Sequence, residues 1–348
     1  MTEGKARLTF LGSGTSQGVP IIGCRCNVCC SEDARDKRFR ASALVEYGGL
    51  TILVDAGPDF RMQMLAAGIS HLDAILLTHN HKDHTGGLDD VRSLNYIDRR
   101  ASEIYCEQNV LEDLIREYPY VFKLPKYPGA PEWHIHVIDD RPFFIKADSS
   151  EKELVWVHDV GYHYRLPDGT LVPTARTLDD MIDEAEKFPD STSGCTAASL
   201  RSAPPSASLT VPPLNVPRVA VASAAGVPSV KVLPIRGYHD KLPILGFRFG
   251  DIAYLTDMSS IPEPEFEKLK GLKHLTLNTV SYKKHHSHFS LEETLVLADR
   301  IGAEHTWLTH LSHTFPVHSQ FCEDLARMCA DRHVRSIVRP AYDGLVID

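Results

Sequence analysis

The sequence predicts an α/β protein in which two β-sheets pack face to face with helices on the outside. Each half of the chain runs short apolar strands and then helices, and a sheet-on-sheet core with outer helices is the layered arrangement that buries such elements. At 348 residues with 43 % hydrophobic content, the chain is long enough for a substantial core. A charged content of 24 % is that of an ordinary soluble globular protein.

Strands are expected at Arg7–Leu11, Ala43–Tyr47 and Thr51–Asp55, the last two joined through Gly48 and Gly49 as a tight hairpin. Pro58–Ala67 reads as a helix, with proline in its first turn and Gly68 as its stop. Ala74–Leu77 is a strand, and Gly86–Asn95 opens the next helix. Further β-runs stand at Glu103–Cys106, His134–Ile138 and Glu153–Val157, with a helix at Val110–Glu117. From residue 159 the pattern dissolves. Leu178–Asp190 has the composition of a short acidic helix, whereas Ser202–Ser229 is rich in Ala, Pro and Ser and holds no acidic residue and no lysine. Such a stretch buries too little apolar surface to offset its ordering entropy. Residues 159–229 are therefore expected to be a loop-rich, mobile insertion on the surface of one domain spanning 1–348. Order returns with strands at Val232–Ile235, Ile244–Phe249 and Ile252–Leu255, a helix at Pro262–Leu269 and a strand at Leu275–Thr279. Leu291–Arg300 is a helix capped by Ser290, with Glu293 completing a capping box. A strand at Thr306–Leu308, a helix at Gln320–Arg332 and a strand at Leu345–Ile347 complete the chain.

The densest chemistry is Thr78-His79-Asn80-His81-Lys82-Asp83-His84, directly after the strand Ala74–Leu77. On a tight loop, His79 and His81 can face one ion while Asp83 and His84 turn toward a second. Imidazole and carboxylate together suit zinc, manganese or iron. A polar loop that merely happens to be rich in histidine is the alternative, and the spacing after a strand argues against it. Two ions need more ligands, and His239, Asp257 and His310 each follow a strand-like run. Strand ends suit ligands because the sheet fixes their position. Asp257, with two carboxylate oxygens, could bridge both ions.

Eight cysteines include Cys24, Cys26, Cys29 and Cys30 in one cluster, a spacing that reads as metal-binding before disulfide. Three thiolates leave a fourth ligand to be found; Cys30 is one candidate. Cys322 and Cys329, seven apart on a helix, read as small hydrophobes facing a core. The N-terminus runs straight into a strand with no room for a signal peptide, and no apolar run approaches a membrane span. A cytoplasmic location without membrane partners is expected. The net charge of −9 disfavours a broad nucleic-acid grip.

Asp55, the His79-x-His81-x-Asp83-His84 string, His239, Asp257 and His310 resemble, in order, the motifs of the metallo-β-lactamase superfamily. The opening Phe10-Leu-Gly-Ser-Gly-Thr-Ser-Gln-Gly-Val-Pro20 resembles the branch that holds ribonuclease Z and the PhnP-like cyclic phosphodiesterases. The cysteine cluster and Thr309-His310-Leu-Ser-His313 point to the PhnP-like group. The resemblance covers roughly residues 7–158 and 231–348. It implies an αββα sandwich of two mixed sheets with outer helices. It places one ion on His79, His81 and His239, the other on Asp83, His84 and His310, with Asp257 between, and Asp55 behind the loop. The ions would be zinc or manganese. His313 resembles the fourth ligand of a structural zinc with Cys24, Cys26 and Cys29. His288 resembles an active-site histidine, expected to act as general acid or phosphate ligand beside a catalytic Asp83; His285, His286, His71 and His305 receive no role.

The expected activity is hydrolysis of a small cyclic or nucleotide-like phosphodiester by a hydroxide shared between two ions. A tRNA 3′-processing endonuclease of the ribonuclease Z type is the nearest rival. Leu178–Val230 carries Lys187, Arg201 and Arg218 against six acidic residues, a net −3 that suits RNA poorly. A thioester or lactone hydrolase, and an inactive RNA- or protein-binding scaffold, are further alternatives; the complete ligand set weakens the last. A homodimer is implied by the resemblance alone.

Overall fold

The computed structural model describes residues 5–123, 126–127, 129–147, 153–157, 161–165, 171–173 and 228–348. The first sheet holds β1 (Arg7–Gly12), β2 (Ser42–Tyr47), β3 (Leu50–Val54), β4 (Ala74–Leu76), β5 (Ser102–Cys106) and β6 (Trp133–Val137), with β17 (Val346–Ile347) outside β1. The second runs from β7 (Phe143–Lys146) through β11 (Ser229–His239), β12 (Leu242–Phe249), β13 (Ile252–Tyr254), β14 (His274–Asn278) and β15 (His305–Thr309) to β16 (Ile337–Pro340). A small antiparallel sheet joins β8 (Glu153–Val157), β9 (Gly161–Arg165) and β10 (Leu171–Pro173). Each large sheet is mixed in the same way. Strands β17, β1, β2 and β3 pair antiparallel and β3 to β6 parallel; β7, β11, β12 and β13 pair antiparallel and β13 to β16 parallel.

Side-chain alternation builds the layers. Ala43, Val45 and Tyr47 of β2, Ile52 and Val54 of β3 and Leu76 of β4 meet Leu245, Phe247, Phe249 and Tyr254 of the second sheet in one buried cluster. Their sequence neighbours Leu44, Leu53 and Ile75 face the other way, against Phe60 and Met64 of α1 (Phe60–Ala67) and Val110, Leu111 and Leu114 of α4 (Gln108–Glu117). Burial on both faces is why these strands read as near-continuous apolar runs. Between α1 and α4 lie α2 (Lys82–Thr85) and α3 (Arg92–Asp98), and α5 (Pro119–Phe122) follows α4. The outside of the second sheet is covered by α6 (Leu291–Ile301) and α7 (His318–Asp331), whose Leu295, Ala298, Phe321 and Leu325 pack on Leu308 and Val338. Each such leucine, valine or phenylalanine side chain contributes roughly 1.5–3 kcal/mol by leaving water.

The stop and capping signals operate as read, whereas Pro58 lies outside α1, which has Asp59 at its N-cap position and begins at Phe60. Gly68 stops α1 in a left-handed conformation, and Ser290 and Glu293 form the reciprocal capping box of α6. The stretch expected as a helix at Pro262–Leu269 is instead a 3-10 turn at Glu263–Leu269. The helix expected from Gly86 opens as a 3-10 turn at Leu88–Val91 before α3. Strands β7 and β16 were not foreseen; both are four-residue edge strands, too short to leave a periodic signal. Of the expected insertion 159–229, β9 and β10 are strands, Pro228 is described and Ser229 is the first residue of β11; the rest, with the expected acidic helix, lies outside the described residues. Among the described residues, no helix is long and apolar enough to cross a membrane.

His71 links α3 to the start of β4. Its Nδ1 lies 2.7 Å from Asp98 and its Nε2 3.2 Å from Asp73. The hydrogen bonds to Asp73 and Asp98, opposed by burial, raise the imidazole to about 9. A histidine raised on folding lends stability fully below its unfolded value of about 6.5 and loses it as pH rises through the folded value. The side chain is 40 % exposed, so solvent screening cuts the contribution to about 1 kcal/mol. His71→Ala should therefore lower the urea-unfolding free energy by that amount at pH 6, and the gap should close above pH 9. An equal gap at both pH values would refute the ion-pair account.

Candidate metal centre

The His-rich string leaves the first sheet where β4 ends. Thr78 and His79 are fully buried, His81 is exposed at the N-terminus of α2, and α2 carries Asp83 and His84. Asp55 follows β3 at a left-handed φ of 64°. The Ser42 hydroxyl holds that bend by hydrogen bonding to the carbonyls of Val54 and Asp55, at 3.1 and 2.9 Å. Gly57 stands two residues on because the chain passes the His-rich loop closely. A Cβ there would lie 2.0 Å from the Asp83 carbonyl oxygen.

The Asp55 carboxylate accepts the Thr78 backbone N–H at 2.9 Å, the Thr78 hydroxyl at 2.9 Å and His84 Nδ1 at 2.7 Å. The same hydroxyl stands 2.9 Å from His79 Nδ1. Thr78 has one hydroxyl proton, and Asp55 takes it, so the oxygen accepts from His79 Nδ1–H. His79 is thereby fixed with hydrogen on Nδ1 and a lone pair on Nε2, and His84 with hydrogen on Nδ1; burial opposes charge on His84, but Asp257, Asp55 and Asp83 raise it well above the usual imidazole value. Both Nε2 atoms are buried and have no hydrogen-bond partner.

The second sheet supplies the facing donors, again from strand ends. His239 closes β11, and its Nδ1 lies 2.9 Å from the Asp257 carbonyl and 2.7 Å from the Ser287 carbonyl. Two acceptors require hydrogen on Nδ1, which leaves the Nε2 lone pair for a cation. Asp257 follows β13 at φ 60°, and the next residue, Met258, exchanges two hydrogen bonds with the Asn278 side chain at 2.8 and 2.9 Å. His310 follows β15 at φ 57°, with the Leu311 N–H bonded to the Ser13 carbonyl. The carboxylate of Asp257 stands centrally. One oxygen is 3.3 Å from His84 Nε2 and the other 3.3 Å from His310 Nε2 and 3.7 Å from His288 Nδ1. Asp83 is also 3.3 Å from His84 Nε2. Ring centroids separate His79 from His81 by 4.7 Å and His81 from His239 by 4.9 Å.

The expected residues of the first loop, with His239, Asp257 and His310, are therefore linked by neighbouring contacts into one group. The tightest groupings cut across the expected division. His79, His84 and Asp257 offer ligand atoms within 4.8 Å of one another, and so do His239, Asp257 and His288. His288 thus belongs to the donor ring, its ring centre 4.5 Å from that of His239 and 4.6 Å from that of His310. His285 lies beside it, its ring tilted against that of His286, and is absorbed by hydrogen bonds to Ser287.

Burial governs the electrostatics. It lowers His79 and His310, and with the neighbouring His310 it pushes His288 down to about 3. A neutral imidazole is the form that binds a cation. Burial opposes charge on Asp257, but His310 and His84 overcome it and hold the carboxyl well below the usual range. Asp83 is lowered likewise, by His84 against burial. Burial raises Asp55 against the pull of His84.

A second donor cluster lies beyond His310. His313 Nδ1 is 3.2 Å from Cys24 Sγ, 3.5 Å from Cys26 Sγ and 3.6 Å from Cys29 Sγ. Cys30 is exposed and stands outside this group. The Cys29 backbone N–H, against burial, brings Cys26 down to about 6, whereas burial pushes Cys29 up to about 11. Cys106 is a buried core residue, and Cys322 and Cys329 lie half-buried on α7. Cys195 lies outside the described residues. His305 stacks on His274 in the second sheet, away from the donors. Thr78, Ser42, Ser287 and Asn278 escaped the sequence reading; only Thr78 carried a signal, by standing directly before the histidines.

The family model of a beta-lactamase superfamily domain matches residues 51–155 and 175–311. An octanoyltransferase of Porphyromonas gingivalis is 35 % identical over 342 residues, covering 97 % of this chain and 51 % of that protein. The chain spans about half the length of the curated relatives it matches. Among solved structures, a diphosphatase from the PhnP family is 28 % identical with a TM-score of 0.65, covering 99 % of this chain and 98 % of that one. The short form of human tRNase Z shares the fold at 15 % identity and a TM-score of 0.53, covering 98 % of each chain. Two mixed sheets with outer helices, donors at their strand ends and a family match over most of the sequence lead to one assignment: the chain belongs to the metallo-β-lactamase superfamily.

Proposed function

We propose that this chain is a metal-dependent phosphodiesterase acting on a small cyclic or nucleotide-like phosphodiester. Fold and donor clusters support a metal-dependent hydrolase; the likeness to a PhnP-family diphosphatase supports the phosphoester substrate. The observation that carries the reading is the buried His79 Nε2, which lacks a partner while its ring mate is held by Thr78, beside a His84 Nε2 faced by the carboxylates of Asp83 and Asp257. Imidazole nitrogens around a shared carboxylate fit divalent ions. His79, His81 and His239 would hold one ion, Asp83, His84 and His310 a second, and Asp257 both. Such a pair supplies Lewis acidity and brings a water's pKa toward neutrality.

The chain's own groups do the rest. Asp83 orients the attacking water, since its carboxylate stands at the donor ring and is part-exposed. His288, neutral and inside the ring, donates a hydrogen bond to a substrate oxygen. Cys24, Cys26, Cys29 and His313 would hold a structural zinc, a closed set of four ligands. A thioester hydrolase is the second reading, favoured by the relative named as an octanoyltransferase, because the same nucleophile attacks carbonyls.

Elemental analysis of the purified protein should find two ions for the His/Asp ring and one for the thiol cluster. A screen of bis(p-nitrophenyl) phosphate, 2′,3′-cyclic nucleotides, a nucleotide diphosphate ester, a pre-tRNA and an acyl thioester should show phosphoester turnover. Turnover of the thioester alone would replace the leading reading with the second. Asp257→Ala should abolish turnover and weaken the ion pair. Cys26→Ser should instead lower the melting temperature, because the binding energy of a structural ion is folding energy; unchanged melting would remove the structural role. His288→Ala should slow a cyclic nucleotide and a p-nitrophenyl ester alike, by about 10²-fold, as loss of one oxyanion donor does. A clearly larger loss on the cyclic nucleotide, whose leaving group needs a proton, would assign proton donation to His288.

A further inference from the structure

One cluster of ligand-type side chains stands apart from both sites. Glu103 lies on β5, and His134 and His136 lie on β6, the edge strand of the first sheet. The register pairs Glu103 with His134 and Tyr105 with His136. Residues two apart on a strand share a face, so both imidazoles project from β6 on the side where β5 presents Glu103. Glu103 Oε2 is 2.9 Å from His134 Nδ1 and 2.5 Å from His136 Nε2. The three ligand atoms lie within 4.8 Å of one another. The ring of His136 is braced, stacking on Tyr105 at 4.3 Å, and Tyr105 stacks in turn on Phe143 at 5.3 Å.

We propose that Glu103, His134 and His136 form a separate site for a zinc-class divalent cation, which clamps edge strand β6 to β5. Two imidazoles and one carboxylate are a zinc donor set. Both imidazoles converge on one carboxylate oxygen through hydrogen bonds, and an ion entering there would displace the protons of those bonds and take the three groups as ligands. Burial opposes charge on Glu103, but the hydrogen bonds from His134 and His136 outweigh it and bring the carboxyl down to about 2, so it is an anion at neutral pH. The three side chains are between 21 % and 32 % exposed, which leaves an ion a path from solvent. Sheet edges invite pairing with other chains, and a metal clamp on the outermost strand would hold it in register.

The test counts ions and locates them. Chelator-stripped protein, re-equilibrated with excess zinc by dialysis, should hold one ion more in the wild type than in His136→Ala. Glu103→Gln, which preserves size and a hydrogen-bond acceptor, should lose the same equivalent. In both variants the His/Asp ring and the thiol cluster should stay filled. Wild-type crystals soaked in zinc should give an anomalous peak among the three side chains. Equal zinc content in all three proteins overturns the proposal. So does the absence of that peak in crystals whose other two clusters show theirs.

Discussion

The buried carboxylate of Asp55 is the constraint on which the site depends. A carboxylate removed from water costs several kcal/mol unless its oxygens are hydrogen bonded, and here three donors from the His-rich string meet it. That requirement joins the end of β3 to the end of β4 and to α2, and it decides which nitrogen of His79 and of His84 carries hydrogen. Asp55 holds no place among the donors facing Asp257, yet it sets the chemistry of two that do, His84 directly and His79 through Thr78.

The facing half is held by equivalent means from the other sheet. Carbonyl oxygens of Asp257 and Ser287 fix His239, and Asn278 clips the turn that carries Asp257. One backbone bond, from Leu245 N–H to the Thr78 carbonyl at 3.0 Å, crosses from β12 to the first residue of the His-rich string. The cleft is therefore a seam between two mixed sheets. The N-terminal Gly-Ser-Gly stretch belongs to the same seam. Ser13 accepts from Leu311, beside His310, and donates to Asp343 near the C-terminus. Arg38, buried, donates to Ser13 and to the Ala341 carbonyl, so both ends of the chain are fastened behind His310.

Much of this was legible in the chain because it rests on local spacing. The His-x-His-x-Asp-His string after an apolar run, the Cys-x-Cys-x-x-Cys cluster and the Ser290–Glu293 box each state their structure within a few residues. Sandwich layering followed from two halves that each run apolar strands and then helices. The rest depends on partners brought from far along the sequence. Nothing local tells that the Thr78 hydroxyl serves as a relay, that Ser42 props the bend at Asp55, or that Ser287 offers its carbonyl to His239. Glu103, His134 and His136 are unremarkable until the register of β5 and β6 sets them side by side. The short strands β7 and β16 were invisible for a related reason, since four residues hold too few alternations to declare a period.

Three of the residues that shape the cleft, Asp55, Asp257 and His310, sit at left-handed φ. Aspartate and histidine tolerate that conformation better than most side chains. At positions 55 and 257 the backbone and the chemistry thus select the same short carboxylate. Glutamate would keep the charge but strain the turn, and asparagine would suit the turn but surrender the charge. Substitution at these two positions is filtered twice, so sequence drift across this protein should reach them last, after many residues buried equally deep.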